Sequence, residues 1–425
     1  MSVTALMLVM AMGGPALTLE QAVRSAEAHQ PQLRQAHFTS EAAEARADQG
    51  MAPLLPQVTG SASYRRSTSN FAPQPGQSSV TTRTAANSFN TVNSYNFGIT
   101  ATQLIYDFGQ TTGRWRASQA SAEAQRANED ALRLQIVLAA RSAFFAARAQ
   151  KELVRVAEQT VANQKKHLEQ IQGFVEVKTR PEIDLAQAKL DMANADLQLI
   201  NAQLGYARSK AQLNQAMGVV RDTDYDVADE SLPALQGEEA PIDVLTQEAA
   251  RRPDLIALQK QIRAQQLTLR AIKGAYGPSL SVSTGLTDSG VQLDNMAWNW
   301  NGSINLSWQI FQGNITRSQV REAEANLAGL AAQYDNSVQQ IRLVVEQARI
   351  SIHSAKAAQT IAEAALQNAT QRLALAEGRY QAGVGSIIEL GDAQLAFTAA
   401  ASQKVQAEYT LASARAQLLQ ALGRR

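Results

Sequence analysis

Two spans of this chain leave little choice of fold. From Thr112 to Gln172 there is no proline and only Gly113 near the start, and a matching span runs from about Ile315 to Glu377. A continuous helix of about 60 residues would extend on the order of 90 Å at 1.5 Å per residue. Helices of that length cannot wrap one globular core. They must pack side by side, with Ala-rich seams allowing close approach. Shorter helices are expected after each span, from Glu182 to Met217 and from Ile387 to Leu422. An earlier helical stretch, Leu19 to about Gln49, is interrupted only by Pro31 and ended by Pro53 and Pro56.

The spans match because the chain repeats itself once. Pro31-Gln32-Leu33 recurs as Pro253-Asp254-Leu255 and Pro56-Gln57-Val58 as Pro278-Ser279-Leu280, both 222 residues on. Gly109 returns as Gly313 after 204 residues, and Ala216-Met217-Gly218 as Ala421-Leu422-Gly423 after 205. A period near 200 residues seen twice is a duplication, not a solenoid. The shortfall places an insert in the first half, within the Ser/Asn/Thr/Pro-rich run Ser67–Ser94, where an exposed loop tolerates it. The chain divides accordingly. Residues 1–16 read as an export signal with a short apolar run (Ala5 to Met12) and a small-residue cleavage site. Residues 17–218 form a first repeat with a hairpin at about 56–108. Residues 219–241 are a proline-, glycine- and acid-bearing linker, and 242–425 form a second repeat with a hairpin at about 278–312.

The second hairpin carries the sharpest local pattern. From Trp298 to Ile310 every odd position is Asn, Ser or Gln and every even one is apolar or Gly. Period-2 alternation gives a strand one apolar and one polar face. A tilted strand crosses a bilayer in about 9–11 residues, and this run is slightly longer. Trp298 and Trp300 near one end and Trp308 near the other suit the aromatic girdles of a membrane barrel. Leu280 to Thr284 alternates in the same sense, and in the first half Val58, Gly60, Ala62 and Tyr64 pair with Phe97, Ile99 and Ala101. A soluble sandwich would use such strands too, but there are only four, separated by long helices. Four strands cannot close a barrel, which needs about eight. An open edge facing lipid leaves backbone groups unpaired. Several chains must therefore pool strands if a membrane is their setting. Three copies give twelve.

Composition narrows the function. The 39 Lys and Arg balance 38 Asp and Glu, so no basic surplus exists to bind nucleic acid. With no cysteine in the sequence, disulfide frameworks, thiolate metal sites and cysteine nucleophiles are excluded. His29, His37, His167 and His353 form no HExxH motif and read as solvated helix-surface residues. His29 and His37, eight residues apart, are separated by roughly 12 Å along a helix, too far to share a metal. No phosphate loop or base–nucleophile pairing stands out, so no catalysis, cofactor or metal is expected. Nowhere do 18 apolar residues run consecutively, so no membrane helix is available.

Several short motifs fall in one order along both halves. They are Leu17-Thr18-Leu19-Glu20-Gln21-Ala22, Pro53 to Val58, Tyr106-Asp107-Phe108-Gly109, Arg379-Tyr380-Gln381-Ala382-Gly383, Glu389, Asp392-Ala393-Gln394 and Ala421-Leu422-Gly423. Through these residues the sequence resembles the outer membrane efflux protein family, the TolC-like channel tunnels of Gram-negative bacteria, over essentially all of 17–425. The resemblance implies a mainly α protomer with a small β part. It pairs a long α-helical barrel with four strands contributing to a shared trimeric 12-stranded transmembrane β-barrel. It implies a passive duct in the outer membrane, extending into the periplasm, for tripartite efflux or type I secretion. The implied partners are a periplasmic adaptor and an inner-membrane pump of RND, ABC or MFS type. Phe174–Asp184 and Tyr380–Asp392 would form the periplasmic tip, turning at Gly383 and Gly385. Glu389 and Asp392 would be constriction residues, and Tyr380 with Asp184 a gate pair. Gly385 stands where a gate arginine can sit, and Val177 where the turn glycine would. Read from the residues alone, Ser386-Ile387-Ile388-Glu389 and Thr179-Arg180-Pro181-Glu182 are also capping boxes, in which Glu389 simply starts a helix. The competing reading is a non-channel periplasmic coiled-coil adaptor or scaffold.

Overall fold

A computed structural model describes residues 16–68, 91–220 and 222–424. The export-signal expectation lies, except for residue 16, outside the described residues, as does most of the Ser67–Ser94 insert. Helices α1 (Leu19–His29) and α2 (Pro31–Met51) lead through a short 3-10 turn into strands β1 (Gln57–Thr68) and β2 (Thr91–Tyr106). Then come α3 (Gln110–Glu176) and α4 (Glu182–Met217). The second series is α5 (Ile242–Ala249), α6 (Pro253–Gly274), β3 (Ser279–Gln292), β4 (Asn295–Ser307), α7 (Ile315–Gln381) and α8 (Ile387–Leu422).

The duplication is exact in the two long helix pairs. Both α3 and α7 have 67 residues, both α4 and α8 have 36, and each pair is offset by 205. Gly218 and Gly423 close α4 and α8 in the left-handed region, at φ 70 and 76, as a residue without Cβ can. The long helices run four residues beyond Gln172 and Glu377, into the tip. The early stretch, by contrast, breaks at Gln30, extended at ψ 119 because the ring of Pro31 disfavours the helical region there. Thr18 starts α1 in a reciprocal capping box with Gln21.

The described residues fall into two compact units that cross-cut the sequence halves: one lies within 1–40, 125–257 and 333–425, the other within 41–124 and 258–332. In the first, Leu245, Leu255, Val345, Ile352 and Leu418 make one apolar cluster and Phe144, Phe145, Leu213, Met217 and Val227 another. Ala22, Ala26, Ala140 and Ala147 have 0% exposure, which is how small residues let helices close on one another. The irregular stretch 222–241 is strapped over these helices. Leu17 bridges to Val227, Lys151 Nζ donates to Asp226 at 2.8 Å, and Arg155 to Asp229 at 2.8 Å. Burial raises the carboxyl pKa of Glu238, but hydrogen bonds from Lys356, the Leu235 amide and Arg415 outweigh it and hold the group below its ordinary value.

The second unit holds the sheet, antiparallel in the order β1-β2-β3-β4. The first hairpin has the expected register, with Val58 opposite Ala101, Gly60 opposite Ile99 and Ala62 opposite Phe97. Beside the sheet, Ala117, Ala120 and Leu267 pack α3 on α6.

Candidate functional site

The α3–α4 and α7–α8 turns, where the resemblance places the tip, lie in the first unit. In the second turn Gly383 takes φ +78, and Val384 and Gly385 both donate to the Arg379 carbonyl, at 3.0 and 2.9 Å. In the first turn the left-handed residue is Lys178, at φ +60, with Thr179 donating to the Phe174 carbonyl at 2.9 Å. Lys178, not Val177, is thus the counterpart of Gly383, 205 residues earlier. Nor does Thr179 cap a helix. Its hydroxyl donates back to Phe174, and Pro181 precedes α4 without a side-chain cap. Ser386 does cap α8, accepting from the Glu389 amide at 3.1 Å. The Glu389 carboxylate, instead of closing the box, meets Arg379 Nε at 3.3 Å.

Tyr380 joins the two turns. It is 1% exposed, among Ile171, Ala188, Leu373 and Leu390, with the Phe174 ring edge-on at 6.4 Å. The Arg180 guanidinium lies over its ring, 4.9 Å from the centroid, and donates to the Gly385 carbonyl at 3.3 Å. No arginine fits at 385 itself, since a Cβ there would stand 2.9 Å from the Tyr380 amide nitrogen. The tip arginine therefore occupies the same position in the other repeat. The Tyr380 hydroxyl is buried without a hydrogen-bond partner, so Asp184 touches it only through its field. Burial pushes the Tyr380 pKa up, Arg180 pulls it down and Asp184 adds to the rise. Asp184 and Asp392 line one groove of about 620 Å³, with Asp191, Gln394, Ile183 and Ile388. Asp392 is exposed, whereas Glu389 is only half-exposed beside Arg379.

Above the tip a polar seam joins α3 to α7 and α8. Thr160 and Thr398 hydroxyls meet at 3.2 Å, and Gln164 donates to Gln394 at 2.8 Å. His167 Nε2 stands 3.6 Å from Glu377. His167 is 7% exposed, which corrects its reading as a surface histidine. Polar side chains at 160, 164 and 167 look like a solvated stripe but recur at the spacing of a packed helix face. Among the described residues no cluster of three or more His, Asp or Glu could hold a metal ion, and no helix is long and apolar enough to cross a membrane.

The sheet presents two chemically distinct faces, because directly paired residues point the same way. One face carries Val58, Phe97, Ile99, Leu286, Trp300, Ile304 and Leu306; the other carries Ser61, Thr100, Ser283, Asn301, Ser303 and Asn305. Trp298 and Trp300 are 73% and 68% exposed, and Trp308, just past β4, is 59% exposed and donates to the Tyr276 carbonyl at 3.1 Å. Ten positions at about 3.3 Å, tilted by about 40°, separate Trp298 from Trp308 by about 25 Å in height, the thickness of a barrel's apolar band. Aromatic residues not assigned to the girdles from the sequence join each end. Tyr64 and Tyr95 meet as tilted rings with centroids 5.0 Å apart at the Trp298 end, and Tyr106 and Phe108 likewise at 5.0 Å at the other.

Comparison with known proteins agrees with this geometry. Residues 22–219 and 244–424 match the family described as outer membrane efflux protein. The outer membrane protein OprJ of Pseudomonas aeruginosa is 26% identical over 148 residues, 34% of this chain and 31% of OprJ. The probable outer membrane lipoprotein SilC of Salmonella typhimurium is 23% identical over 332 residues, 72% of this chain and 67% of SilC. The CmeC outer membrane channel of Campylobacter jejuni has the same fold, with a TM-score of 0.81 at 21% identity, covering 95% of this chain and 85% of CmeC. With both repeats matched by one family description, the chain belongs to the outer membrane efflux protein family, whose home is the Gram-negative outer membrane.

Proposed function

We propose that this protein is a trimeric outer-membrane duct that exports substrates passively, with energy supplied by an inner-membrane pump reached through a periplasmic adaptor. One observation carries the reading: a four-stranded sheet with an exposed, largely apolar face, a polar face and two edges, β1 and β4, that no further strand pairs among the described residues. Such a sheet is satisfied in lipid only when neighbouring copies supply the missing strands, and three copies make a twelve-stranded barrel with Ser, Thr and Asn toward the lumen. An adaptor or scaffold has no use for such a face.

At the tip, Tyr380, Arg180 and the Gly385 carbonyl fasten the two turns, Gly383 shapes one of them, and Asp184, Glu389 and Asp392 set the charge of the constriction. Asp392, with no ion pair among the described residues, acts on passing ions more strongly than Glu389, which Arg379 partly neutralises. The test is to extract the protein from outer membranes, establish its oligomeric state and record currents in planar bilayers. Cation-selective conductance from a trimer, reduced more by Asp392→Asn than by Glu389→Gln, is the expected result. A soluble, non-conducting monomer overturns it.

A further inference from the structure

We propose that His167 is a pH-responsive positioning residue, holding the seam between α3, α7 and α8 closed while neutral and releasing it when protonated. His167 sits on the same face of α3 as Thr160 and Gln164, 7% exposed, with Nδ1 buried and without a hydrogen-bond partner. The groups around it make the protonated form hard to accommodate. From α7 comes one carboxylate, Glu377, 3.6 Å from Nε2 and itself one-third exposed. From α8 the seam residues are Gln394 and Thr398, which bond to Gln164 and Thr160 and carry no charge, and the Gln394 amide nitrogen is also buried and unpartnered. On α3 itself Gln170 contacts the ring, and the acid on the facing stripe of α4, Asp184, lies by Tyr380. A protonated ring would have one carboxylate, Glu377, beside Nε2 and only the neutral Gln170 amide as further support, with Nδ1 buried and unpartnered in the closed seam.

Burial accordingly lowers the His167 pKa, and the opposing pull of Glu377 and hydrogen bonding with Gln170 do not overcome it. The closed seam therefore binds a proton less well than an opened, hydrated one. Its closure is fully supported above the ordinary histidine value of about 6.5 and is lost as pH falls from there through the lowered value. The device sits directly above Tyr380, so the effect on export rests on the channel reading. The effect on the seam does not.

Hydrogen exchange across residues 160–171 of the assembled protein, corrected for the intrinsic pH dependence of exchange, reads the seam directly. Acidification from about pH 7.5 to about pH 5 should raise exchange there severalfold in the wild type and not in His167→Gln. Glu377→Gln, which removes the attraction opposing burial, should carry the response to lower pH. A wild type without the response, a response retained in His167→Gln, or Glu377→Gln behaving as wild type overturns the proposal. Bilayer currents under the same conditions separate the two readings. A seam that responds in a protein without conductance at any pH rejects the channel and keeps the seam, whereas pH-dependent conductance identical in His167→Gln rejects the seam.

Discussion

On the proposed reading of the tip, Tyr380 is held between the two turns without a hydrogen bond from its hydroxyl. Its hydroxyl is buried and unpaired, so the ring is held by packing and by the Arg180 guanidinium above it. Arg180→Ala should loosen the two turns by about 1–2 kcal/mol, the sum of a cation–π contact and a charged hydrogen bond to a carbonyl. The change would appear as faster exchange at 378–386 and larger single-channel currents. Tyr380→Phe should be neutral or stabilising, because it removes an orphaned polar atom. A loss of more than about 1 kcal/mol would mean the hydroxyl is bonded after all. The order of motifs pointed to Tyr380, Asp184 and Gly383, and the structure shows Tyr380 buried between the turns, Asp184 nearby without a hydrogen bond to it, and Gly383 at positive φ. Arg180 was not legible, because it lay inside an apparent capping box, and only the fold brings its guanidinium over the Tyr380 ring and onto the Gly385 carbonyl.

Among the elements, the paired helices were the easiest to read, since proline-free spans and the 205-residue offset fix their lengths. Their exact ends were harder. Lys178 takes the left-handed conformation that Gly383 takes for free, a choice set by tertiary context instead of residue preference. Lys178→Gly should stabilise the α3–α4 turn by up to about 1 kcal/mol, measured by thermal unfolding, while Gly383→Ala should destabilise its counterpart by a similar amount. His167 was misread for a related reason, a polar stripe being taken as wet. The seam it belongs to can be tested by cross-linking. In a chain with no cysteine of its own, Thr160→Cys with Thr398→Cys should oxidise readily, since the hydroxyls meet at 3.2 Å. The bridge should suppress conductance until reduced. A bridge that forms and leaves currents unchanged would place opening elsewhere than along this seam.

For the whole molecule, the period-2 alternation of Trp298 to Ile310 was enough to foresee both faces of the sheet, because strand pairing extends one strand's pattern across all four. It could not reveal that β2 and β3 join the hairpins into one sheet, which depends on long-range pairing. Ile304→Lys, on the apolar face, should cost about 2–4 kcal/mol and deplete the outer membrane of protein. Ser303→Lys, one residue away on the polar face, should assemble normally and shift selectivity toward anions. Equal membrane levels of the two variants would argue that this sheet never meets lipid.

The bare β1 and β4 edges also make heredity collective. A protomer with a proline introduced into β4 still offers a sound β1 edge and is admitted by healthy partners, yet the ring it joins cannot close. Co-produced in equal amounts with the wild type, it would leave roughly one-eighth of rings intact, as random assortment into threes requires. A damaged copy of this chain would therefore act as a poison and not as a simple loss.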